Sequence, residues 1–148
     1  MINEVGRAMR ACGARTVGHQ RREGRDDVRS SWMHWPCLFP QHGPGKKHDR
    51  PIRLTGWQQA IVDEYPGQFL RGLFHSDGCR IENRAERNGK TYAYPRYMFV
   101  NKSADIMNLC RESLDRLGVP WRMGSTIQLS VARKEGVAVL DGHVGPKF

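Results

Sequence analysis

A helix-forming segment that ends at Asp77 runs straight into a hairpin, and this junction constrains the fold more than any other feature of the chain. Leu70, Leu73 and Asp77 recur at helical spacing and therefore share one face of the helix. Gly72 and Ser76, four residues apart, give the same helix a groove of small side chains. We expect a helix of this kind to pack closely against a twin.

Two strand-like runs follow this helix, at residues 79–87 and 90–100. Asn88-Gly89 separates them, and this pair is strongly favoured in the two-residue turns of tight hairpins. Pro95 interrupts the second run, which predicts an edge strand or a bend at that point. The sequence thus predicts a long two-stranded hairpin that begins directly after Asp77.

The remaining carboxyl-terminal residues repeat the alternation of helix and hairpin. Ser103 offers a helix N-cap, and apolar residues recur at helical spacing from Ile106 until Gly118 stops the run. The following elements are predicted as a second, shorter hairpin from Trp121–Met123 and Thr126–Lys134, and a last helix, Val137–Asp141. The predicted order is helix, two strands, helix, two strands, helix.

Residues 70–78, Leu-Arg-Gly-Leu-Phe-His-Ser-Asp-Gly, resemble the LAGLIDADG (DOD-type) motif of homing endonucleases. This segment matches the motif at Leu70, Gly72, Leu73, Asp77 and Gly78. It departs from the motif at Arg71, His75 and Ser76. The resemblance covers residues 66–148. It implies an α+β fold built on an αββαββα repeat, with a saddle-shaped antiparallel sheet and its helices on one face. In that family two motif helices pack side by side with their small residues touching. The resemblance implies that the packing residues here are Gly72, Leu73 and Ser76, of which Gly72 and Ser76 are small.

The amino-terminal end carries signs of a second, incomplete copy. Residues 2–12 have the helical spacing of the Ile106 helix and the same glycine stop, at Gly13. Residues 42–46 echo His143-Val144-Gly145-Pro146-Lys147. We therefore predict a partial first repeat (helix, two strands, helix) at 1–48, a linker with a short helix at 49–65, and a complete repeat at 66–148. The alternative is that the similarity is chance, because helices that end in glycine are common.

The resemblance also implies a metal-dependent cleavage of phosphodiester bonds. Asp77 falls on the family's acidic position and would bind Mg²⁺, with the Gly78 carbonyl as a second contact. Arg133 or Lys134 falls roughly where the family has a basic residue beside the active site. The alternatives are a helix-terminal carboxylate without a metal for Asp77, whose place at the helix's negative end is unfavourable for an anion, and a solvated turn for Arg133 and Lys134.

In the family, the strand face of the sheet lies in the major groove of double-stranded DNA. The resemblance therefore implies DNA contacts from alternate side chains of the long hairpin and phosphate contacts at its tip. An ordinary exposed sheet face is the alternative, since tyrosine and arginine are common there. The DNA-binding residues expected are Arg80, Glu82 and Arg84 on the first strand, Tyr92, Tyr94 and Arg96 on the second, and Arg87 and Lys90 at the tip.

Composition agrees with a partner that is a polyanion. The chain has 148 residues and a net charge of +9, with the basic excess in both halves. The sequence has no apolar run of the ~18 residues that a membrane span needs and no signal-peptide pattern, so a cytoplasmic location without membrane association is expected.

Three interpretations follow. The first is a site-specific, Mg²⁺-dependent DNA endonuclease (a hydrolase) of the homing type, from an intron, an intein or a free-standing gene, or a piece of one. The second is a DNA-binding transcriptional regulator that keeps the fold without cleavage. The third is an inactive remnant that lacks one motif helix. A homodimer, or a missing amino-terminal repeat, would pack on the Leu70–Asp77 helix and supply a second carboxylate.

Overall fold

The structure, a computed structural model, describes residues 2–145, and for Ile2, Arg25, Lys47 and Arg87 it describes the backbone alone. In this part of the chain the fold is α+β, with six α-helices and two antiparallel sheets. The helices are α1 (Ile2–Ala11), α2 (Trp35–Leu38), α3 (Gly56–Glu64), α4 (Pro66–Asp77), α5 (Ala104–Arg116) and α6 (Lys134–Val144). The strands are β1 (Gly18–Arg22), β2 (Arg25–Arg29), β3 (Gly78–Arg87), β4 (Lys90–Val100), β5 (Arg122–Ser125) and β6 (Gln128–Val131).

The chain forms two compact units that divide between His42 and Gly43. The first unit has a helix, α1, a two-stranded hairpin, β1–β2, and a second helix, α2. Helix α2 has only four residues. Gly13, at φ 104°, ends the turn after α1, as the glycine-stop pattern predicts. In the first unit's described residues only Gly6 and Ala14 are buried, so this unit has little core of its own.

The second unit has the element order that the sequence predicts for residues 66–144, and it also contains α3. Residues 49–65, expected as a linker, lie inside this unit. The backbone N–H of Ile52 donates to Asp105 at 2.7 Å, and Asp63 of α3 pairs with Arg116 of α5 at 2.8 Å. Whether the first unit is half of a repeat stays a prediction, and Pro146 and Lys147 of the proposed echo lie outside the described residues.

The sheet of the second unit has the order β3-β4-β6-β5, with every neighbouring pair antiparallel. Gly78–Arg87 and Lys90–Val100 pair along their whole length around Asn88-Gly89, both of which have positive φ, as the hairpin prediction requires. Only the Tyr97–Val100 end of β4 also pairs with β6. The rest of β3 and β4 forms a two-stranded arm.

The core lies between one face of this sheet and helices α4, α5 and α6. The sheet contributes Tyr97, Phe99, Leu129 and Val131, which share a face because Tyr97 pairs with Val131 and Phe99 with Leu129. The helices contribute Leu70, Phe74, Met107, Cys110, Leu114, Val137, Leu140 and Val144. None of these core residues lies on the opposite face of the sheet.

Helix α4 is held against α6 at both ends. A Cβ at Gly67 would lie 2.3 Å from the imidazole Nδ1 of His143, so only glycine allows this approach. The ring of His75, 7% exposed, forms a 2.9 Å hydrogen bond between its Nε2 and the Val144 carbonyl. His75, a departure from the motif, thus has a structural role in joining α4 to the end of α6.

The last hairpin and helix differ from their predicted bounds. Strand β6 ends at Val131, Arg133 is the N-cap of α6, and Lys134 is the helix's first residue. The Val137 backbone N–H donates to the Arg133 carbonyl at 2.9 Å, which closes the first helical turn three residues before the predicted start. Lys134 is therefore not a strand residue.

Among residues 2–145 no helix has the length and apolar character that crossing a membrane requires.

Candidate nucleic-acid interface

Strand pairing assigns each side chain of the sheet to one of two faces. Residues directly opposite each other in an antiparallel pair point to the same side. Arg80 pairs with Tyr97, whose ring is in the core, so Arg80 lies on the helix side. Asn83 pairs with Tyr94, and the Asn83 side-chain amide donates to the Tyr94 hydroxyl at 2.6 Å on the other side.

We call the side away from the helices the open face. The charged residues of this face with described side chains are Lys90, Arg96 and Arg122, all basic, and the register also places Arg87 opposite Lys90. The acidic residues of β3, Glu82 and Glu86, both lie on the helix side. The open-face residues given by the register are Cys79, Ile81, Asn83, Ala85, Lys90, Tyr92, Tyr94, Arg96, Met98, Val100, Arg122, Ser125, Gln128 and Ser130.

On the helix side, Arg80 is paired with a carboxylate of α6. Arg80 donates two hydrogen bonds to Asp141 of α6, from Nε at 2.7 Å and from Nη2 at 2.9 Å, and the Tyr97 hydroxyl donates to the same carboxylate at 2.7 Å. The hydrogen bond from Arg80 lowers the pKa of Asp141 below its usual 3.8. Burial, together with the bond to Asp141, raises the pKa of Tyr97 well above its usual 10.0.

The register divides the expected DNA-binding residues between the two sides of the sheet. Arg80, Glu82 and Arg84 lie on the side opposite Tyr92, Tyr94 and Arg96, so the six side chains do not form one surface. Arg80 is bound to Asp141, and the Arg84 guanidinium lies 3.6 Å from Glu82. Of the expected residues, those of β4 lie on the open face, and Arg80, Glu82 and Arg84 of β3 lie on the helix side.

The tip of the arm combines the predicted turn with a basic residue. Lys90 is exposed and pairs with Arg87 in the register. The side chain of Arg87, expected as a phosphate contact, lies outside the described residues. Tyr92 is exposed, and Tyr94 and Arg96 are half-buried and stacked, with the Arg96 Cζ 5.7 Å from the centre of the Tyr94 ring.

Asp77 lies at the other end of the hairpin, where α4 gives way to β3. The Asn101 side-chain amide donates to its carboxylate at 2.9 Å, and Asn101 is itself fixed because its Oδ1 accepts from the Ser103 backbone N–H. Gly78 is the helix C-cap and donates its N–H to the Phe74 carbonyl. A Cβ on Gly78 would lie 2.6 Å from the Phe74 ring, so the Asp-Gly junction requires glycine.

The structure does not bring Arg133 and Lys134 together with Asp77. Gly78 lies opposite Phe99, and β6 starts at the same end, with Gln128 opposite Val100. β6 then runs away from that end, and Arg133 follows two residues after Val131. At about 3.3 Å per residue, Arg133 is more than about 10 Å along the strands from the level of Asp77.

Two of the three expected packing residues, Gly72 and Ser76, lie on an open side of α4, and the third, Leu73, does not. Gly72 and Ser76 are exposed, and a Cβ on Gly72 would meet no atom within 4 Å. The Ser76 hydroxyl donates to the Leu73 carbonyl at 2.9 Å, and the Leu73 side chain packs against the core. The small-residue groove is thus available to a second helix, and its occupant stays a prediction.

At this junction the motif-like stretch supplies one carboxylate to a Mg²⁺ ion, that of Asp77. The described residues contain no group of three or more His, Cys, Asp or Glu side chains that could hold a metal. Mg²⁺ in nucleic-acid enzymes often takes only one or two carboxylates and completes its shell with water and substrate phosphate. Asp77, pre-oriented by Asn101, fits such a site only where a phosphate or a second carboxylate supplies the other ligands.

The sequence predictions gave no role to three residues that the structure places in or beside the sheet. Asn101 follows a strand and precedes a cap, a place where a buried amide has no sequence signature. Asp141 was predicted only as the last residue of a helix. Arg122 lies in a four-residue strand with a bulge at Gly124, too short for its alternation to be read.

No protein-family model matches the chain, and a search of curated proteins finds no match to it.

Proposed function

We propose that this chain is a DNA-binding protein of the LAGLIDADG homing endonuclease type that binds double-stranded DNA with its open face. The observation that carries the proposal is the separation of charge between the two sides of one sheet. Every charged residue that the register gives to the open face is basic, and the acidic strand residues Glu82 and Glu86 are on the helix side. A surface of this kind attracts a polyanion without a local acid to compete for its cations.

The shape of the arm also supports a duplex as the partner. A two-stranded β-ribbon fits the major groove of B-DNA, and its alternate side chains then reach base edges. Asn83 lies on the open face and carries an amide of the kind that pairs with adenine. Lys90, exposed near the tip, would contact phosphate and set the position of the arm.

The motif resemblance and the αββαββα order of residues 66–144 support the finer family proposal. Asp77 would be the carboxylate ligand of Mg²⁺, and the Gly78 carbonyl lies next to it in sequence. When bound, the metal would polarise a phosphodiester and lower the pKa of a water. The chain's own contribution is to hold the carboxylate: Asn101 fixes its orientation, and the Gly78 cap fixes where α4 ends.

One chain supplies one motif carboxylate, and this favours a second candidate function. Cleavage of both strands requires a second Asp77, from a homodimer or another repeat packed on the Gly72 and Ser76 groove. Without it, the same fold acts as a DNA-binding regulator that does not cut. The observation that supports this alternative is that the motif-like stretch in this sequence, residues 70–78, supplies one acidic residue, Asp77.

Cleavage and binding of a randomised duplex library, followed in the same tubes with and without Mg²⁺, test the proposal. Wild type is compared with Asp77→Asn, which keeps size and hydrogen bonding to Asn101 but lowers metal affinity, and with Asp115→Asn as a matched control. Asp115 accepts a 2.7 Å hydrogen bond from the Trp121 indole, far from the motif in sequence. We expect salt-sensitive binding by all three proteins and Mg²⁺-dependent nicking that Asp77→Asn abolishes.

Binding without nicking in any protein would select the regulator. Absence of duplex binding by the wild type at low salt would contradict both versions of the proposal.

A further inference from the structure

Three arginines surround a pocket at the root of the arm. The pocket has a volume of about 350 Å³ and lies where the open face meets the start of α6. Arg96 comes from β4, Arg122 from β5 and Arg133 from the N-cap of α6. The other lining residues are Pro120, Trp121, Ser130 and Ala132, so no lining residue is acidic.

The Arg96 side chain is held in place before any ligand arrives. Its guanidinium stacks on Tyr94, and its Nη2 donates to the Tyr94 hydroxyl at 3.3 Å. Its Nε is buried and has no hydrogen-bond partner among the described residues. A buried N–H without an acceptor is costly, and the cost is relieved by any ligand that brings an oxygen to it.

The charges around the pocket also lack counterions. Within residues 2–145, none of the three arginines forms an ion pair, whereas Arg80 and Arg84 on the other side of the same sheet both do. Three arginines contribute to the lining of one pocket, and their like charges repel one another unless an anion lies between them. Arginine presents forked donors that match the oxygens of phosphate.

We infer that this pocket, formed by Arg96, Arg122 and Arg133 with Ser130, is a binding site for a phosphate group. Ser130 pairs with Arg122 across β5 and β6 and places a hydroxyl on the same wall. The phosphate has two possible sources, the backbone of DNA and a free phosphorylated compound. The inference goes beyond the proposed function, because the pocket binds or fails to bind phosphate independently of DNA.

The test has two arms and uses the full chain. In the first, inorganic phosphate is titrated at constant ionic strength against KCl while the arginine Nε–H resonances are followed by NMR. We expect a saturable shift of Arg96 at millimolar phosphate in the wild type and in Arg84→Gln, and its loss in Arg122→Gln. Arg84→Gln is the matched control because it removes the same charge from the helix side.

In the second arm, duplex affinity is measured against salt concentration. If a DNA phosphate occupies the pocket, Arg122→Gln lowers the salt slope by about 1, and Arg84→Gln leaves it unchanged. A phosphate shift with equal slopes in both variants would assign the pocket to a free phosphorylated compound. No phosphate shift and equal slopes would overturn the inference, even if the wild type binds DNA.

Circular dichroism and thermal melting of each variant separate loss of binding from loss of folding. If Arg122→Gln unfolds, Arg133→Gln gives the same test. Arg133 is exposed and lies outside the strands, so its substitution should not disturb the sheet.

Discussion

The two sides of the four-stranded sheet are made from the same strands, yet they treat charge in opposite ways. On the helix side, Arg80 and Asp141 form a two-bond ion pair, and Arg84 lies beside Glu82. On the open face, Arg96 and Arg122 have no carboxylate partner within the described residues. On the helix side both arginines have a carboxylate partner within the fold, and on the open face Arg96 and Arg122 have none among the described residues.

The difference shows why a net charge of +9 is weak evidence for nucleic-acid binding. Arginines on the helix side add to the total without being available to a ligand. What supports the proposal is where the unpaired arginines lie and the absence of acids among the open-face residues.

Phe74→Ala is expected to have the largest effect. Phe74 is 2% exposed and contacts the rings of Tyr97 and Phe99 on the helix side. Removal of the ring should lower the free energy of unfolding by about 3–5 kcal/mol, since it loses apolar burial and leaves a cavity. Urea denaturation of the second unit's cooperative transition measures this loss.

Tyr92→Ala is the matched control on the open face. Tyr92 is 51% exposed, so its removal should change stability by no more than about 0.5 kcal/mol. Equal losses from the two substitutions would contradict the assignment of the core to the helix side.

Asp141→Asn should have an intermediate effect that depends on pH. The charge-assisted bonds to Arg80 and Tyr97 are partly exposed to solvent, so we expect a loss of about 1 kcal/mol at neutral pH. Because Arg80 lowers the pKa of Asp141 in the folded state, its contribution is fully present above the ordinary value of 3.8 and is lost as pH falls through the lower folded value.

Denaturation curves from pH 7 down to acid conditions measure this dependence. The wild type should lose its advantage over Asp141→Asn below pH 3.8, and an advantage that stays constant into acid would contradict the ion pair.

Glu82→Gln should have the smallest effect. Glu82 and Arg84 are exposed, with side chains 60% and 77% accessible, and surface pairs contribute about 0–1 kcal/mol. Stability should change little, and duplex affinity should not show the loss that a base-contacting residue would give. If Glu82→Gln lost preference for particular DNA sequences, the helix side would have to contact DNA, which would contradict binding through the open face alone.

Local signals made much of the second unit predictable. Ser103 caps α5, Gly118 ends it with φ 65°, and Asn88-Gly89 forms the hairpin turn. Each of these depends on a few neighbouring residues, whose conformational preferences do not need the rest of the fold.

The faces of the hairpin were also present in the sequence but were not recognised. A two-residue turn at Asn88-Gly89 pairs even-numbered residues of β3 with odd-numbered residues of β4. Arg80 must then share a side with Tyr97 rather than with Arg96. Pairing by turn geometry would have separated the two expected sets.

Other parts of the surface depend on contacts between distant segments. The Arg80–Asp141 pair joins residues 61 positions apart, and the arginine pocket needs the order β4-β6-β5. No local pattern gives that order, because β5 and β6 have four residues each. The pocket therefore emerges only from the assembled sheet.

Photo-crosslinking to a duplex tests the central claim most directly. A photoreactive phenylalanine analogue is placed at Tyr94 on the open face or at Arg84 on the helix side, at similar distances along the arm. We expect strong, salt-sensitive crosslinking from position 94 and little from position 84, with a ratio of at least about tenfold. The reason is that one face would make the phosphate and base contacts. Equal yields, or a stronger yield from position 84, would contradict binding through the open face.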